Sequence, residues 1–278
     1  MVRVAKSDLS LRDTLNIGQT FCWNFDSKCQ VWQGWIDGVL CTAEEGKRFI
    51  SFDGPSERQI EHYFSLDLNW SEIHKSFPKD RILHQSIKQF PGLKIVREPW
   101  WECTCNFICS SLKQVGHIQQ INNKLRVGFG SKVKKDRFSF PSSEVIAQVQ
   151  EKDLRDCQLG YRAKHLHTAA NQIARQEFSF ESEIPHVGIH EAENRIQKLR
   201  GVGNKVANCI LLYSGEYLDA FPIDVWMERV LLEHYFTKSK KMPNRVKTLD
   251  FMRKYFGPYC GIAQLYLFHW VRTISKNA

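Results

Sequence analysis

The chain has 278 residues, enough for one large or several small domains, and its 42% apolar and 25% charged residues are typical of globular proteins. The formal net charge of +9 favours a polyanionic partner, nucleic acid before membrane, and no apolar run has the length of a membrane-spanning helix. The N-terminus has no signal-peptide core, and nine scattered cysteines indicate reduced thiols inside a cell.

Residues 1–97 predict an antiparallel β domain. Runs of β-branched and aromatic residues are separated by the turn signals Asp26-Ser27, Asp37-Gly38 and Asp53-Gly54-Pro55. The predicted strands lie at 21–25, 31–36, 39–43 and 48–52, and the predicted helices at 57–64 and 79–89.

From about Trp100 onward, the apolar residues follow a helical period. Residues 98–278 therefore predict an all-α region, divided into a central bundle (98–215) and a C-terminal part (216–278). Its one charge run, at 132–137, is expected to be a solvated loop that also faces DNA. The predicted fold class is α+β: an N-terminal antiparallel β-sheet domain followed by two all-α subdomains containing a helix-hairpin-helix.

Two amphipathic helical runs flank Gly201-Val-Gly203-Asn204, and this arrangement predicts the helix-hairpin-helix. The two glycines let backbone N–H groups approach a phosphate closely, and the same backbone could hold a structural cation. Asn204 is the expected N-cap, which places Lys205 in the first turn of the second helix. There the helix dipole and partial burial favour the uncharged amine, a nucleophile suited to forming a Schiff base.

Two further side chains accompany Lys205. Cys209 lies four residues later on the same helix face, and Asp224 follows a proline-marked turn further downstream. Each feature has a simpler explanation, because such hairpins also act as passive DNA clamps, such lysines as phosphate contacts and such aspartates as helix caps. The three features in this order favour chemistry on a nucleotide sugar.

Two other helices carry residues suited to DNA. In the C-terminal helix, Gln264 and Phe268 lie one turn apart, as an amide that bonds a flipped base and a ring that stacks on it would. The simpler explanation is a surface glutamine beside a core phenylalanine. Tyr161 and Arg162 open another helix and suit an aromatic wedge and a phosphate contact.

These motifs resemble, in order and along nearly the whole chain, those of 8-oxoguanine DNA glycosylases of the helix-hairpin-helix superfamily. The resemblance implies a bifunctional enzyme that flips and excises 8-oxoguanine from duplex DNA through a lysine Schiff base and nicks the strand by β-elimination. No cofactor is then required. The matching stretches are Gly18-Gln-Thr-Phe-Cys-Trp23, Phe107-Ile-Cys-Ser-Ser111, Leu159-Gly-Tyr-Arg-Ala163, Gly201 to Cys209, Pro222-Ile-Asp-Val225 and Gly257-Pro-Tyr with Ala263, Gln264 and Phe268.

The resemblance also implies individual roles. Lys205 would attack the anomeric carbon, and Asp224 would stabilise the positive charge that develops on the sugar. The backbone carbonyl of Gly18 would accept the N7 hydrogen, which 8-oxoguanine has and guanine lacks. The residues expected to bind the lesion base are Gly18, Cys209, Gln264 and Phe268.

Three positions depart from the family pattern. The asparagine and one arginine that read the orphaned cytosine in the family are replaced by Leu112 and His117, so only Arg162 remains, with Tyr161 beside it. The histidine that contacts phosphate two residues after the catalytic aspartate is replaced by Trp226. We therefore expect cleavage of 8-oxoguanine opposite all four bases with rates within about tenfold of one another.

Two alternatives stay open. An endonuclease III-type glycosylase acting on oxidised pyrimidines is disfavoured, because only Cys209 and Cys260 follow the hairpin and cannot supply an iron–sulfur cluster. A non-catalytic DNA-binding module would not need Lys205, Asp224 and Gln264 together. We expect a monomer that binds double-stranded DNA and no membrane, in the nucleus of a eukaryote or the cytoplasm (nucleoid) of a prokaryote.

Overall fold

The computed structural model describes residues 1–111 and 113–277, and side chains as far as residue 274. Its N-terminal part contains the antiparallel sheet that the sequence predicts, with five strands in the order β1-β5-β4-β3-β2. The tight β3–β4 hairpin turns at Asp37-Gly38, where both residues have the positive φ that such two-residue turns require. The strands are β1 (Val2–Ala5), β2 (Asn24–Asp26), β3 (Val31–Ile36), β4 (Val39–Glu45) and β5 (Phe49–Asp53).

Two details of the sheet differ from expectation. The edge strand β1 was missed by the sequence pattern and pairs with β5. The predicted strand at 21–25 is wrong in its first part: Phe21, Cys22 and Trp23 are buried residues of a loop, and pairing with β3 begins only at Asn24. A run of apolar residues marks burial there, and burial does not require a strand.

Helices make up most of the rest of the chain. A small exposed hairpin, β6 (Lys132–Lys134) with β7 (Arg137–Phe138), interrupts them and corrects the predicted loop at 132–137. The helices are α1 (Leu11–Leu15), α2 (Glu57–Tyr63), α3 (Trp70–Ser76), α4 (Arg81–Gln89), α5 (Trp100–Cys109), α6 (Val115–Phe129), α7 (Ser143–Gln148), α8 (Glu151–Leu154), α9 (Arg162–Ala174), α10 (Phe180–Glu183), α11 (Ile189–Ile196), α12 (Asn204–Tyr213), α13 (Val225–Val230), α14 (Arg245–Phe256) and α15 (Cys260–Asn277). Among them, none is long and apolar enough to cross a membrane.

Two hydrophobic cores organise these elements. The smaller core lies on the sheet and includes Trp23, Trp35 and Phe52. The larger core lies among the helices and also takes in Ile73 of α3 and Leu83 of α4, which precede the predicted boundary at residue 97. Helices α3 and α4 belong to the N-terminal stretch in sequence, but their apolar faces pack with the C-terminal helices.

A buried polar network joins the two cores. The Tyr63 hydroxyl accepts a hydrogen bond from Trp23 Nε1 (2.9 Å) and donates one to Glu98 Oε1 (2.5 Å). One turn later, Glu102 forms a buried ion pair with Arg126. Burial, and then the nearby Glu102 charge, raise the pKa of Glu98 from 4.5 to about 7.

This raised pKa predicts a pH-dependent stability. Between about pH 4.5 and 7 the folded state holds a proton on Glu98 that the unfolded chain releases, so stability is lost as pH rises through this window. The free energy of unfolding of wild type should fall across the window by about 3 kcal/mol relative to Glu98→Gln. Urea unfolding at several pH values measures this, with exposed Glu177→Gln as the control. Parallel pH profiles for wild type and Glu98→Gln would contradict it.

Candidate active site

Helices α11 and α12 are joined by the predicted hairpin. Gly201 has φ +88°, and a Cβ there would lie 2.7 Å from the Cβ of His165, so both conformation and space require glycine. The predicted cap at Asn204 is wrong, because Gly203 is the N-cap and provides no side-chain hydrogen bond. Lys205 remains in the first turn. With no side-chain cap, the first N–H groups of α12 are suited to binding a phosphate.

Beside the hairpin lies a cavity of about 920 Å³, here called the Lys205 cavity. It brings together four of the predicted site residues, from four separate segments: Gly18 after α1, Lys205 on α12, Asp224 before α13 and Phe268 on α15. The volume lies within the range of natural ligand sites and is large enough for a nucleoside.

Lys205 is half-buried within this cavity. Its amine lies 5.1 Å from the ring centroid of Phe107 and donates a hydrogen bond to Ser110 Oγ (3.4 Å). Burial raises the pKa of the Cys209 thiol, an effect that nearby Lys205 opposes. The thiol therefore stays neutral at neutral pH and offers a compact, weakly polar surface next to the amine.

Asp224 is both a helix cap and a cavity residue. Its Oδ1 accepts hydrogen bonds from the backbone N–H groups of Trp226 (3.0 Å) and Met227 (2.9 Å), which makes it the N-cap of α13. The simpler explanation, that this aspartate is a helix cap, is therefore correct. The cap also fixes the orientation of a carboxylate that lines the Lys205 cavity.

Helix α15 supplies Gln264 and Phe268. Gln264 is only 3% exposed, which rules out the surface explanation for it. Its Nε2 donates to the Pro222 carbonyl (3.1 Å), while the buried Oε1 has no partner among the described residues. A buried acceptor without a donor is rare in proteins and is available to a ligand. Phe268 lines the cavity, whereas Cys209 and Gln264 are buried and not in its lining.

Sequence reasoning missed Arg272, which also lines the cavity. Its guanidinium lies 5.2 Å from the ring centroid of Phe268 and donates to the Ile17 carbonyl (2.9 Å), directly before Gly18. Burial lowers the pKa of Arg272, and the charge of Asp224 opposes that effect. The side chain thus ties the Gly18 loop to α15. Its position one turn after Phe268 was the only signal available in the sequence.

None of the described residues predicted to face the opposite strand lines the Lys205 cavity. Tyr161 is 53% exposed, as a wedge must be. Arg162 is 5% exposed and donates to the carbonyls of Ser111 and Leu159, so its guanidinium is engaged by the protein's own backbone. His117 is exposed in the first turn of α6 and does not line the cavity. Leu112 lies outside the described residues.

Trp226 stands where the resemblance leads one to expect a histidine that contacts phosphate. It lines the Lys205 cavity, and the guanidinium of Arg229 lies 5.0 Å from its ring centroid. An indole donates a single hydrogen bond and carries no charge, so Trp226 cannot replace an ionic phosphate contact.

Two family profiles match this chain. Residues 1–104 match the profile described as 8-oxoguanine DNA glycosylase, N-terminal domain. Residues 106–253 match that of the HhH-GPD superfamily base excision DNA repair proteins.

Individual relatives cover most of the chain. The N-glycosylase/DNA lyase of Saccharomyces cerevisiae is 26% identical over 88% of this chain and 73% of its own. The probable N-glycosylase/DNA lyase of Methanothermobacter thermautotrophicus is 28% identical over 85% of this chain and 84% of its own. The crystal structure of the Clostridium acetobutylicum 8-oxoguanine glycosylase/lyase, in complex with double-stranded DNA containing cytosine opposite 8-oxoguanine, superposes with a TM-score of 0.88 at 26% identity, covering 99% of both chains.

Proposed function

The chain belongs to the HhH-GPD superfamily of base excision DNA repair proteins, and on that basis we propose that it is a bifunctional DNA glycosylase and AP lyase that excises 8-oxoguanine from duplex DNA. One observation carries this proposal. The Lys205 cavity brings together the Lys205 amine, the capped Asp224 carboxylate and the Phe268 ring beside a hairpin suited to binding a phosphate. Each is needed for chemistry on a flipped nucleotide.

The chemistry follows from the placement of Lys205 and Asp224. The lysine amine attacks the anomeric carbon, the glycosidic bond breaks, and the base leaves with the bonding electrons and takes up a proton. Ring opening then gives a Schiff base, and loss of a proton from C2′ expels the 3′ phosphate by β-elimination. Asp224, oriented by its cap, stabilises the positive charge on the sugar.

Recognition of the base rests on complementary donors and acceptors. The Watson–Crick edge of 8-oxoguanine presents N–H donors, and the free Oε1 of Gln264 is a matching acceptor. Phe268 lines the cavity and is placed to stack on one face of the base, whereas the resemblance assigns the other face to Cys209, which lies behind the cavity lining. The Gly18 carbonyl accepts the N7 hydrogen, which guanine lacks, so this one contact favours the lesion by about 1–3 kcal/mol.

Recognition of the opposite base is weaker than the family pattern provides. Leu112 has no hydrogen-bonding group, and His117 has no guanidinium fork. The buried Arg162 already donates to two backbone carbonyls. Lys113 and Gln114 line the Lys205 cavity and can restore part of the discrimination.

Four duplexes that differ only in the base opposite 8-oxoguanine test both parts of the proposal. We expect nicked product from all four, with single-turnover rates within about tenfold, or about 1.4 kcal/mol. Leu112→Asn with His117→Arg should increase the preference for cytosine. Absence of nicking at 8-oxoguanine would contradict the activity, whereas a hundredfold cytosine preference in wild type would contradict only the relaxed selectivity.

We also propose that the reaction requires no cofactor and that the protein acts as a monomer. Among the described residues, the one group with metal-ligand spacing is Cys22, Glu98 and Glu102. Tyr63 and Arg126 already bond these two carboxylates, and none of the three residues lines the Lys205 cavity.

A further inference from the structure

Arg272 contacts two of the elements that the proposed function assigns to the lesion base. Its side chain is half-buried at the wall of the Lys205 cavity. Its Nη1 donates a hydrogen bond to the Ile17 carbonyl (2.9 Å), directly before Gly18, and its guanidinium lies over the Phe268 ring, 5.2 Å from the ring centroid. Arg272 therefore joins the acceptor predicted for the N7 hydrogen to the ring predicted to stack on the base.

The residue after Gly18 is held by the protein's own hydrogen bonds. Gln19 is only 1% exposed, and its side chain makes three of them. Its Nε2 donates to the carbonyls of Thr14 and Lys94 (both 2.8 Å), and its Oε1 accepts from the Val96 N–H (3.0 Å). Both amide hydrogens of Gln19 are thus used, so the chain is anchored on the C-terminal side of Gly18.

Gly18 itself offers an acceptor between these two anchors. Among the described residues, none donates a hydrogen bond to its carbonyl. Its φ of +86° suits glycine, and a Cβ there would lie 3.1 Å from Val115 Cγ2. The Ile17 carbonyl shares a peptide plane with the Gly18 N–H, so the bond from Arg272 holds that plane and with it the direction of the next carbonyl. Without this bond the plane can rotate, because glycine tolerates a wide range of φ.

We propose that Arg272 is a positioning residue that sets the selectivity for 8-oxoguanine over guanine. Its hydrogen bond aims the Gly18 carbonyl, and its guanidinium restricts the Phe268 ring on which the base stacks. The inference rests on the function proposed above, because that function assigns the N7 hydrogen to Gly18. Lys205 and Asp224 are held by other hydrogen bonds, so loss of Arg272 should affect recognition of the base more than chemistry on the sugar.

Binding selectivity gives the first test. In the Lys205→Gln background, which binds without cleaving, affinities are measured for an 8-oxoguanine duplex and for the same duplex with guanine. Their ratio should fall at least about fivefold with Arg272→Met, because the hydrogen bond to the N7 hydrogen is no longer aligned. Arg272→Lys should recover part of the ratio, because its ammonium can also donate to the Ile17 carbonyl. Arg58→Met, which removes an exposed arginine of α2 outside the cavity, should keep the ratio.

Cleavage gives a second readout. An abasic-site duplex offers Lys205 the same sugar carbon but no base, so the contacts of Gly18 and Phe268 with the base do not contribute. With Lys205 intact, Arg272→Met should lose at least about fivefold more single-turnover rate on 8-oxoguanine than on the abasic duplex. Some loss common to both substrates is expected, because the Asp224 charge acts on Arg272. A merely structural role would slow both reactions equally.

Each readout is a ratio measured on one preparation, so an unfolded fraction or a weaker general affinity for DNA cancels. If Lys205→Gln with Arg272 intact does not prefer 8-oxoguanine over guanine, the proposed function itself is contradicted. If that preference is present, three results would each overturn the role of Arg272: an unchanged ratio in Arg272→Met, an equal loss of rate on both substrates, or no recovery in Arg272→Lys.

Discussion

Borohydride is expected to trap a covalent adduct between the wild-type protein and a duplex carrying 8-oxoguanine, and to trap none with Lys205→Gln. The reductant converts the Schiff base into a stable amine, which requires that Lys205 has attacked the anomeric carbon. Glutamine keeps much of the length and polarity of the side chain but has no nucleophilic amine. Because the substitution leaves the hairpin glycines in place, binding to the duplex should persist while base release and nicking fall to background.

A matched control is available on the same hairpin. Lys198 is exposed in the turn just after α11, so Lys198→Gln removes an equal charge outside the Lys205 cavity. That variant should be trapped as efficiently as wild type. Adduct formation by Lys205→Gln would show that another amine is the nucleophile. Loss of trapping in both variants would show that charge, and not the Lys205 amine, determines the result.

Asp224→Asn should raise the barrier to base release by about 2–4 kcal/mol, the contribution of one preorganised charge at such a site, with little change in affinity. Asparagine keeps an oxygen that can accept the N–H groups of Trp226 and Met227, so the cap of α13 should survive. What it loses is the negative charge facing the sugar. Single-turnover rates measure the barrier, and binding to a duplex with a cleavage-resistant 2′-fluorinated lesion measures the affinity.

Asp80 provides the comparison for Asp224. It caps α4 through a hydrogen bond from the Leu83 N–H (2.8 Å) and lies outside the Lys205 cavity. Asp80→Asn should leave the rate of base release unchanged. If Asp224→Asn instead loses affinity and rate equally, or unfolds at a much lower temperature than Asp80→Asn, Asp224 is only a cap.

Local patterns in the sequence were sufficient to predict the secondary-structure elements that carry the site residues. The hairpin follows from two glycines between amphipathic runs, and the spacing of Gln264 and Phe268 follows from the period of a single helix. The cap at Asp224 is also local, since its partners are the next residues of the chain. Hydrogen bonds and side-chain spacing within a few residues depend on nearby sequence alone.

Burial was harder to predict. Gln264 and Arg162 are polar and would ordinarily be assigned to the surface, yet both are at least nine-tenths buried. Gln264 is buried because α15 packs into the larger core on this face, and Arg162 because the Ser111 and Leu159 carbonyls accept its N–H groups. In both cases the neighbours that bury the side chain lie outside the helix that carries it, so the pattern of that helix does not reveal them.

Residue patterns were enough to predict the fold class, the hairpin and the candidate nucleophile, and the resemblance to a known family supplied a role for each predicted residue. The contacts between distant segments came from the structure: Gly18 and Lys205 share a cavity, and Arg272 ties the Gly18 loop to α15. Such contacts join segments that are far apart in the chain, and they depend on which helix faces pack together. Packing of that kind leaves no local pattern, because any apolar face can cover another of suitable shape.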